Sequence, residues 1–461
     1  MPTTPPPDPR FQRLCELVET KLQSEAIPGA AFGIYHQGQA TIAGFGVTSV
    51  DNPLPVTADT LFQVGSITKT FTATAIMRLV EAGKLSLDTP VRTYLPGLRL
   101  ADESVAERVT LRHLLTHSGG WEGDYFNDYG PGPEALKRIV EDLAGLPQLT
   151  PLGELFSYSN SGWYLAGRLV EIASGKSYEE AMHELIFEPL GLKNCFFFPH
   201  QVMTYRFATG HETVDKKAQV ARPWWIGRAG HSIGGLVTDI HDLFTYARFH
   251  MGDPALPHLL TPQSLKLMQT PRLESSSREW VGLSWFISRS DGHTLLRHSG
   301  GTKGQISLLT VAPDANFAFA ALTNSDDGDR LTYPLRSAAL REYLGIQEPE
   351  IRPIEMPAEK LDEVTGTYAA TPRETCTFQH RADGLWLKVE SKGGFPTPSD
   401  PPPLEQPPEV RIAFYGDDRL VGLEAPFKDM RFEILRGQDG KIAFLRIGGR
   451  LNKRLEGPGG G

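Results

Sequence analysis

Strand-forming sequence occurs in two blocks set far apart along the chain, and that separation constrains the fold more than any single motif. From Ala30, "AAFGIYHQGQATIAGFGV" reads as two apolar runs around a polar, Gly-containing turn, a β-hairpin signal. From about Leu61 to Met251 the patterns are instead mostly helical and loop-rich. Strand patterns return in "GLSWFIS", "TLLRHS", "QISLLTV" and "FAFAALTN", the last two joined by a Pro-Asp-Ala-Asn turn, and a helix from about Leu331 to Leu344 follows. Strands at both ends with helices between predict one antiparallel sheet assembled from the two blocks, with a helical subdomain inserted. Sites tend to form where two such halves meet.

The flanks complete the organisation. Phe11, Leu14, Val18 and Leu22 have helical spacing and stop at Pro28-Gly29, after a Pro-rich start assigned to residues 1–10 as a disordered tail. The sheet-and-helix unit is expected over 11–346, a Pro- and Glu-rich linker over 347–357, and a second unit over 358–455. In that unit, short alternating strands such as "CTFQHRADGLWLKVE" and "RIAFYGDDRLVGLE" are joined by Asp-Gly and Gly-Asp turns, which describes a small antiparallel β-barrel. The interruption "GGFPTPSDPPPLEQPPE" reads as an exposed, mobile loop. The fold class is therefore α/β of the α+β kind, with an appended barrel.

Composition excludes several partners. With 46 Lys+Arg against 55 Asp+Glu, and no basic cluster with interleaved aromatics, no nucleic-acid partner is expected. No apolar run approaches the length of a membrane helix, and the N-terminus lacks the pattern of a signal peptide. Cys15, Cys195 and Cys376 form neither a metal-ligand pair nor a disulfide framework, so the chain is expected to be cytoplasmic, without metal or cofactor.

The chemistry is carried by three short stretches. In "FQVGSITKTFTATAIMRLVEAGKL", Ile67, Phe71, Ala75 and Leu79 form an apolar face, so Ser66 falls at the first turn of a helix with Lys69 on the same side. A serine hydroxyl needs a base, and a desolvated lysine at the positive helix end can serve. Alone, Ser66 could equally be a helix cap and Lys69 a solvated charge. Tyr158-Ser159-Asn160 precedes another helix, offering a phenol for proton relay and an amide for a substrate carbonyl; a packed turn is the plainer reading. The third stretch is one of two near-copies, "LLTHSGGWEG" and "LLRHSGGTKG". The first places His117 at the end of a short helix capped by Thr110. The second places His298-Ser299-Gly300-Gly301 at the end of a strand, where glycines admit a substrate and a free N–H can serve an oxyanion.

Ser66-x-x-Lys69, Tyr158-x-Asn160 and His298-x-Gly300, in that order, resemble the three motifs of penicillin-recognising serine hydrolases, above all the class C β-lactamase-like proteins. "LSLDTPVRTYLPGL", "LRHLLTHSGG" and "IFEPLGLKN" are similar to that family's connecting segments, over roughly Ala30 to Leu344. The resemblance implies Ser66 as acylated nucleophile, Lys69 as its activator, Tyr158 as general base and acid, and Asn160 orienting the substrate. It also implies a catalytic third motif at His298, an oxyanion hole from the Ser66 and Gly301 N–H groups, Ser299 and Gly300 against the substrate, and a structural role for His117. Many relatives carry Lys where His298 stands. A histidine titrating near neutrality weakens a carboxylate-binding role, so the expected function is an acyl hydrolase of esters or D-amino-acid amides and peptides, like the family's D-aminopeptidase and esterase branches. A class C-type β-lactamase, or a penicillin-binding sensor that deacylates slowly, is the alternative. The C-terminal unit is similar to lipocalin-like domains of related peptidases, where it would shape the cleft mouth or support a homo-oligomer; a stability module is the plainer role. The partner expected is a small-molecule or peptide substrate.

Two rivals are weaker. Gly230-His231-Ser232-Ile233-Gly234 fits the Gly-x-Ser-x-Gly elbow, with Asp291 and His298 downstream, but "ARPWWIGRA" is a poor strand to precede it. His183-Glu184 begins a zinc motif whose second histidine position is Phe187. The aromatics from Trp121 to Tyr129 and Trp224-Trp225 could line the cleft or pack its rim.

Overall fold

A computed structural model describes residues 8–215, 217–224, 226–371, 374–391 and 406–455. The Pro-rich interruption lies mostly outside the described residues, as do Trp225 and residues 1–7. The first helix, Pro9–Ser24, starts inside the expected tail. Asp8 caps it by accepting from the Arg10 N–H, and Pro9 occupies a first-turn position, where its missing N–H costs nothing.

The two strand blocks do form one sheet. Its eight antiparallel strands run Gln39–Gly46, Gly29–His36, Phe317–Thr323, Gln305–Ala312, His293–Thr302, Phe286–Ser290, Glu279–Val281 and Leu273–Ser276. The N-terminal hairpin thus closes onto the last strand of the second block, with Ala30 opposite Thr323 and His36 opposite Phe317. Alternation sorts side chains to two faces. Phe32, Ile34, Phe317 and Phe319 meet Leu14, Val18, Leu331 and Leu335 of the terminal helices Pro9–Ser24 and Asp329–Leu344. Ala31, Tyr35, Ala318 and Ala320 face the larger core of the inserted helical subdomain. Both faces being covered, the strands read as continuous apolar runs.

The helix Thr68–Glu81 lies at the centre of that core and is buried on every side from Thr68 to Met77, rather than along one stripe. Its threonines fit there because Thr70, Thr72 and Thr74 donate back to carbonyls three or four residues earlier, while Thr72 and Thr74 also meet the hydroxyls of Tyr178 and Tyr246.

The C-terminal unit is a closed barrel of eight consecutive antiparallel strands between Gly366 and Arg454, sealed where Tyr368 pairs with Arg454. Tyr368, Phe378, Leu387, Phe414, Phe432 and Leu445 pack into its interior. Its last hairpin, Ile442–Ile447 and Arg450–Arg454, turns through Gly448 and Gly449, both at positive φ, which only glycine adopts without strain. That turn points at the hydrolase unit.

Candidate active site

Ser66 sits in a single 3₁₀ turn, Gly65–Ile67, running directly into the central helix. The turn is pressed against the strand His293–Thr302: a side-chain carbon on Gly65 would lie 2.7 Å from the Gly301 nitrogen, and one on Gly300 would lie 2.0 Å from Val64 O and 2.8 Å from Ser66 N. Glycine at these positions is what allows the Ser66 backbone and the end of that strand to approach. The Ser66 and Gly301 stretches of backbone are thereby set side by side.

Lys69 is completely buried, with its Nζ 3.0 Å from Ser66 Oγ and donating to Ile233 O at 2.6 Å. Burial, reinforced by the positive charge of Arg450 and only partly opposed by Asp124, holds its pKa well below that of a free lysine. Tyr158 is hydrogen-bonded to Ser66, and burial pushes its phenol up to about 12. Its ring lies 5.2 Å from Lys69 Nζ. Asn160 immediately precedes the helix Ser161–Ser174 and donates through Nδ2 to Asp124 at 2.8 Å. Five of the expected residues, Ser66, Lys69, Tyr158, Gly300 and Gly301, therefore converge, with Asn160 adjoining.

His298 stands on the strand beside the site as expected, but not as a group that titrates near neutrality. It is buried beside the site, its Nδ1 donates to Ser299 O at 2.7 Å, and burial together with the Lys69 charge depresses its pKa to about 3. It is neutral throughout the physiological range, so it neither titrates there nor offers a charge to a substrate carboxylate. Ser299 is half-buried on the same strand, opposite Leu308.

The rival nucleophile is sealed. Ser232 has no exposure, donates to Trp163 O at 3.2 Å, and abuts Gly167 on the neighbouring helix. Its segment serves the site instead by supplying the Ile233 carbonyl to Lys69. Among the described residues no cluster of His, Cys, Asp and Glu could hold a metal, and no helix is long and apolar enough to cross a membrane. Trp121 is buried and donates to Ser161 Oγ at 2.9 Å, so it packs the site's floor, while Tyr125 and Tyr129 turn their hydroxyls to Asp142.

Two participants escaped the sequence reading. Arg450, from the barrel's last hairpin, stacks 4.7 Å over the Tyr158 ring and pairs with Asp124 at 2.8 Å. Burial alone would raise Asp124, but the Arg450 charge, with hydrogen bonds from Arg450 and Asn160, keeps it below the usual carboxylate range. Beside it, Gly449 O accepts the Tyr158 N–H at 2.9 Å, and Leu451 N donates to Ser157 Oγ at 3.2 Å. The barrel is thus part of the active-site wall. Its only local signal was a diglycine turn followed by an arginine.

A serine beside a desolvated lysine, with a phenol on its hydroxyl, defines a serine hydrolase of the Ser-x-x-Lys type. The β-lactamase family model matches residues 14–341, and the chain belongs to that family. It is 32% identical to penicillin-binding protein 4 of Amycolatopsis lactamdurans over 336 residues, 70% of this chain and 88% of that protein. Among solved structures it resembles SurE with D-Leu (TM-score 0.75, 28% identity, 97% of this chain and 100% of that one). It also resembles the octameric penicillin-binding protein homologue from Pyrococcus abyssi (TM-score 0.65, 25% identity, 96% and 99%).

Proposed function

We propose that the protein hydrolyses esters or D-amino-acid amides and peptides through an acyl-enzyme on Ser66. The observation that carries this reading is the Lys69 amine, fully buried and 3.0 Å from Ser66 Oγ. With its pKa depressed, Lys69 takes the Ser66 proton as Oγ attacks the acyl carbon, and the oxyanion is met by the Ser66 and Gly301 N–H groups. Tyr158, whose phenol is protonated at neutral pH, begins the cycle as the acid and gives its proton to the departing oxygen or nitrogen. The Lys69 ammonium then returns a proton to the phenolate. Water enters, loses a proton to the same pair and attacks the acyl carbon, and Ser66 is released with its hydroxyl restored. Asn160, held by Asp124, orients the substrate carbonyl.

A neutral His298 gives no permanent cation to a β-lactam carboxylate, which disfavours efficient β-lactam turnover. The D-Leu bound to SurE supports a D-configured acyl group here. We also place the enzyme in the cytoplasm, which its three free cysteines fit, and as a homo-oligomer, in keeping with the octameric relative.

The test is a steady-state panel of p-nitrophenyl esters, D- and L-amino-acid anilides and nitrocefin. Multiple turnovers on esters or D-anilides support the reading. A single burst of product that then stalls would instead identify a slowly deacylating sensor, and turnover confined to nitrocefin would identify a β-lactamase.

A further inference from the structure

The first copy of the repeated phrase is not idle. His117 follows the short helix Leu111–Leu115 in the left-handed region, at φ 54°, a costly backbone conformation for a residue with a side chain. From there it holds both neighbours of Tyr158. Its carbonyl accepts the Ser157 N–H at 3.0 Å, and its Nδ1 accepts the Ser159 N–H at 2.9 Å. Its ring stacks on the Tyr158 ring, 4.4 Å between centroids and 20° from parallel, backed by Phe156 and Trp163.

Because Nδ1 accepts from a backbone N–H, neutral His117 carries its proton on Nε2. Burial, reinforced by the nearby Arg450 charge, keeps it neutral. Among the described residues Nε2 is buried without a hydrogen-bond partner, a cost that a phenyl ring would avoid. A phenyl ring would stack equally well but could not accept from Ser159, whereas an asparagine could accept but not stack. Only an imidazole does both.

We propose that His117 is a positioning residue for catalysis: it clamps the backbone on either side of Tyr158 and sets the plane of the phenol, so that the hydroxyl is held at Ser66. The inference rests on the reading of Tyr158 as the proton-transfer group.

The test is a double-mutant cycle on the whole chain, reading kcat and KM on a p-nitrophenyl ester beside the thermal midpoint. His117→Asn keeps the acceptor and loses the stack; His117→Phe keeps the stack and loses the acceptor. Each is expected to lower kcat on the order of 10–100-fold, with KM within about twofold, because small misplacement of a reacting group costs that much. In a Tyr158→Phe background, His117→Asn is expected to have no further effect on kcat. A purely structural role would lower the thermal midpoint and leave the kcat of the folded fraction unchanged. The proposal is overturned if either folded variant keeps a wild-type kcat, or if the His117 effect persists undiminished without the Tyr158 hydroxyl. Should His117→Asn not fold, His117→Phe decides by the same criteria. A fully active Tyr158→Phe would sink the underlying reading of Tyr158; an inactive Tyr158→Phe with a fully active His117→Asn would sink this inference alone.

Discussion

Removing the Arg450 charge should move the pH dependence of catalysis in a direction the structure fixes. Lys69 Nζ and the Arg450 guanidinium lie 5.2 and 4.7 Å from the Tyr158 ring centre, so they stand within about 10 Å of each other. Across about 10 Å, two unit charges repel by about 0.4 kcal/mol in water and about 1.7 kcal/mol at the effective dielectric of a protein site. That corresponds to about 0.3–1.2 pKa units on Lys69. Arg450 lowers the Lys69 pKa, so Arg450→Met, which keeps much of the side chain's bulk, should raise it. The active form has a free amine, so the acid limb of the kcat/KM profile should shift alkaline by that amount, measured on a neutral ester between pH 5 and 10. Arg450→Lys keeps the charge and should leave the limb in place while losing the two-point grip on Asp124. An unmoved limb in Arg450→Met, or one shifted to lower pH, would refute the electrostatic role of the barrel.

Three further outcomes follow from the same geometry. Lys69→Met should lower acylation on the order of 10²–10⁴-fold, as expected for loss of a general base, while circular-dichroism melts show no loss of stability, because a desolvated amine is replaced by an apolar chain. Gly300→Ala should be inactive and destabilised by about 3 kcal/mol in urea titrations, since its new carbon would overlap Val64 O. His250, fully buried against Trp285 and Tyr246, has a folded pKa of about 3 through burial alone. The fold excludes its proton, so its contribution is complete above the unfolded value of about 6.5 and is lost as pH falls toward 3. The stability difference between wild type and His250→Asn should therefore shrink by about 2 kcal/mol from pH 7 to pH 5, checked by denaturant titration at both values.

The three motifs were legible because their spacing is local: Ser66 and Lys69 share one helical turn, and Tyr158 and Asn160 flank one residue. The sheet was legible from apolar runs and turn residues at its two blocks. What escaped was set by packing across long sequence separations. Arg450 reaches Asp124 only because the last barrel hairpin docks there, and the diglycine before Arg450 marks a turn without marking its partner. His117 shares its phrase with His298, and nothing local distinguishes a scaffold histidine from one stacked on the catalytic phenol. His298 was expected to titrate near neutrality because its type was visible and its burial was not. The central helix was read as one-faced because threonine looks polar until its hydroxyl is seen returning to the backbone.

The most direct test of the central claim is to label the protein with a fluorophosphonate and map the adduct by peptide mass spectrometry, with Ser66→Ala and Ser232→Ala in parallel. The adduct is expected on the peptide bearing Ser66, lost in Ser66→Ala and retained in Ser232→Ala. An adduct on Ser232, or labelling that survives Ser66→Ala, would contradict that claim.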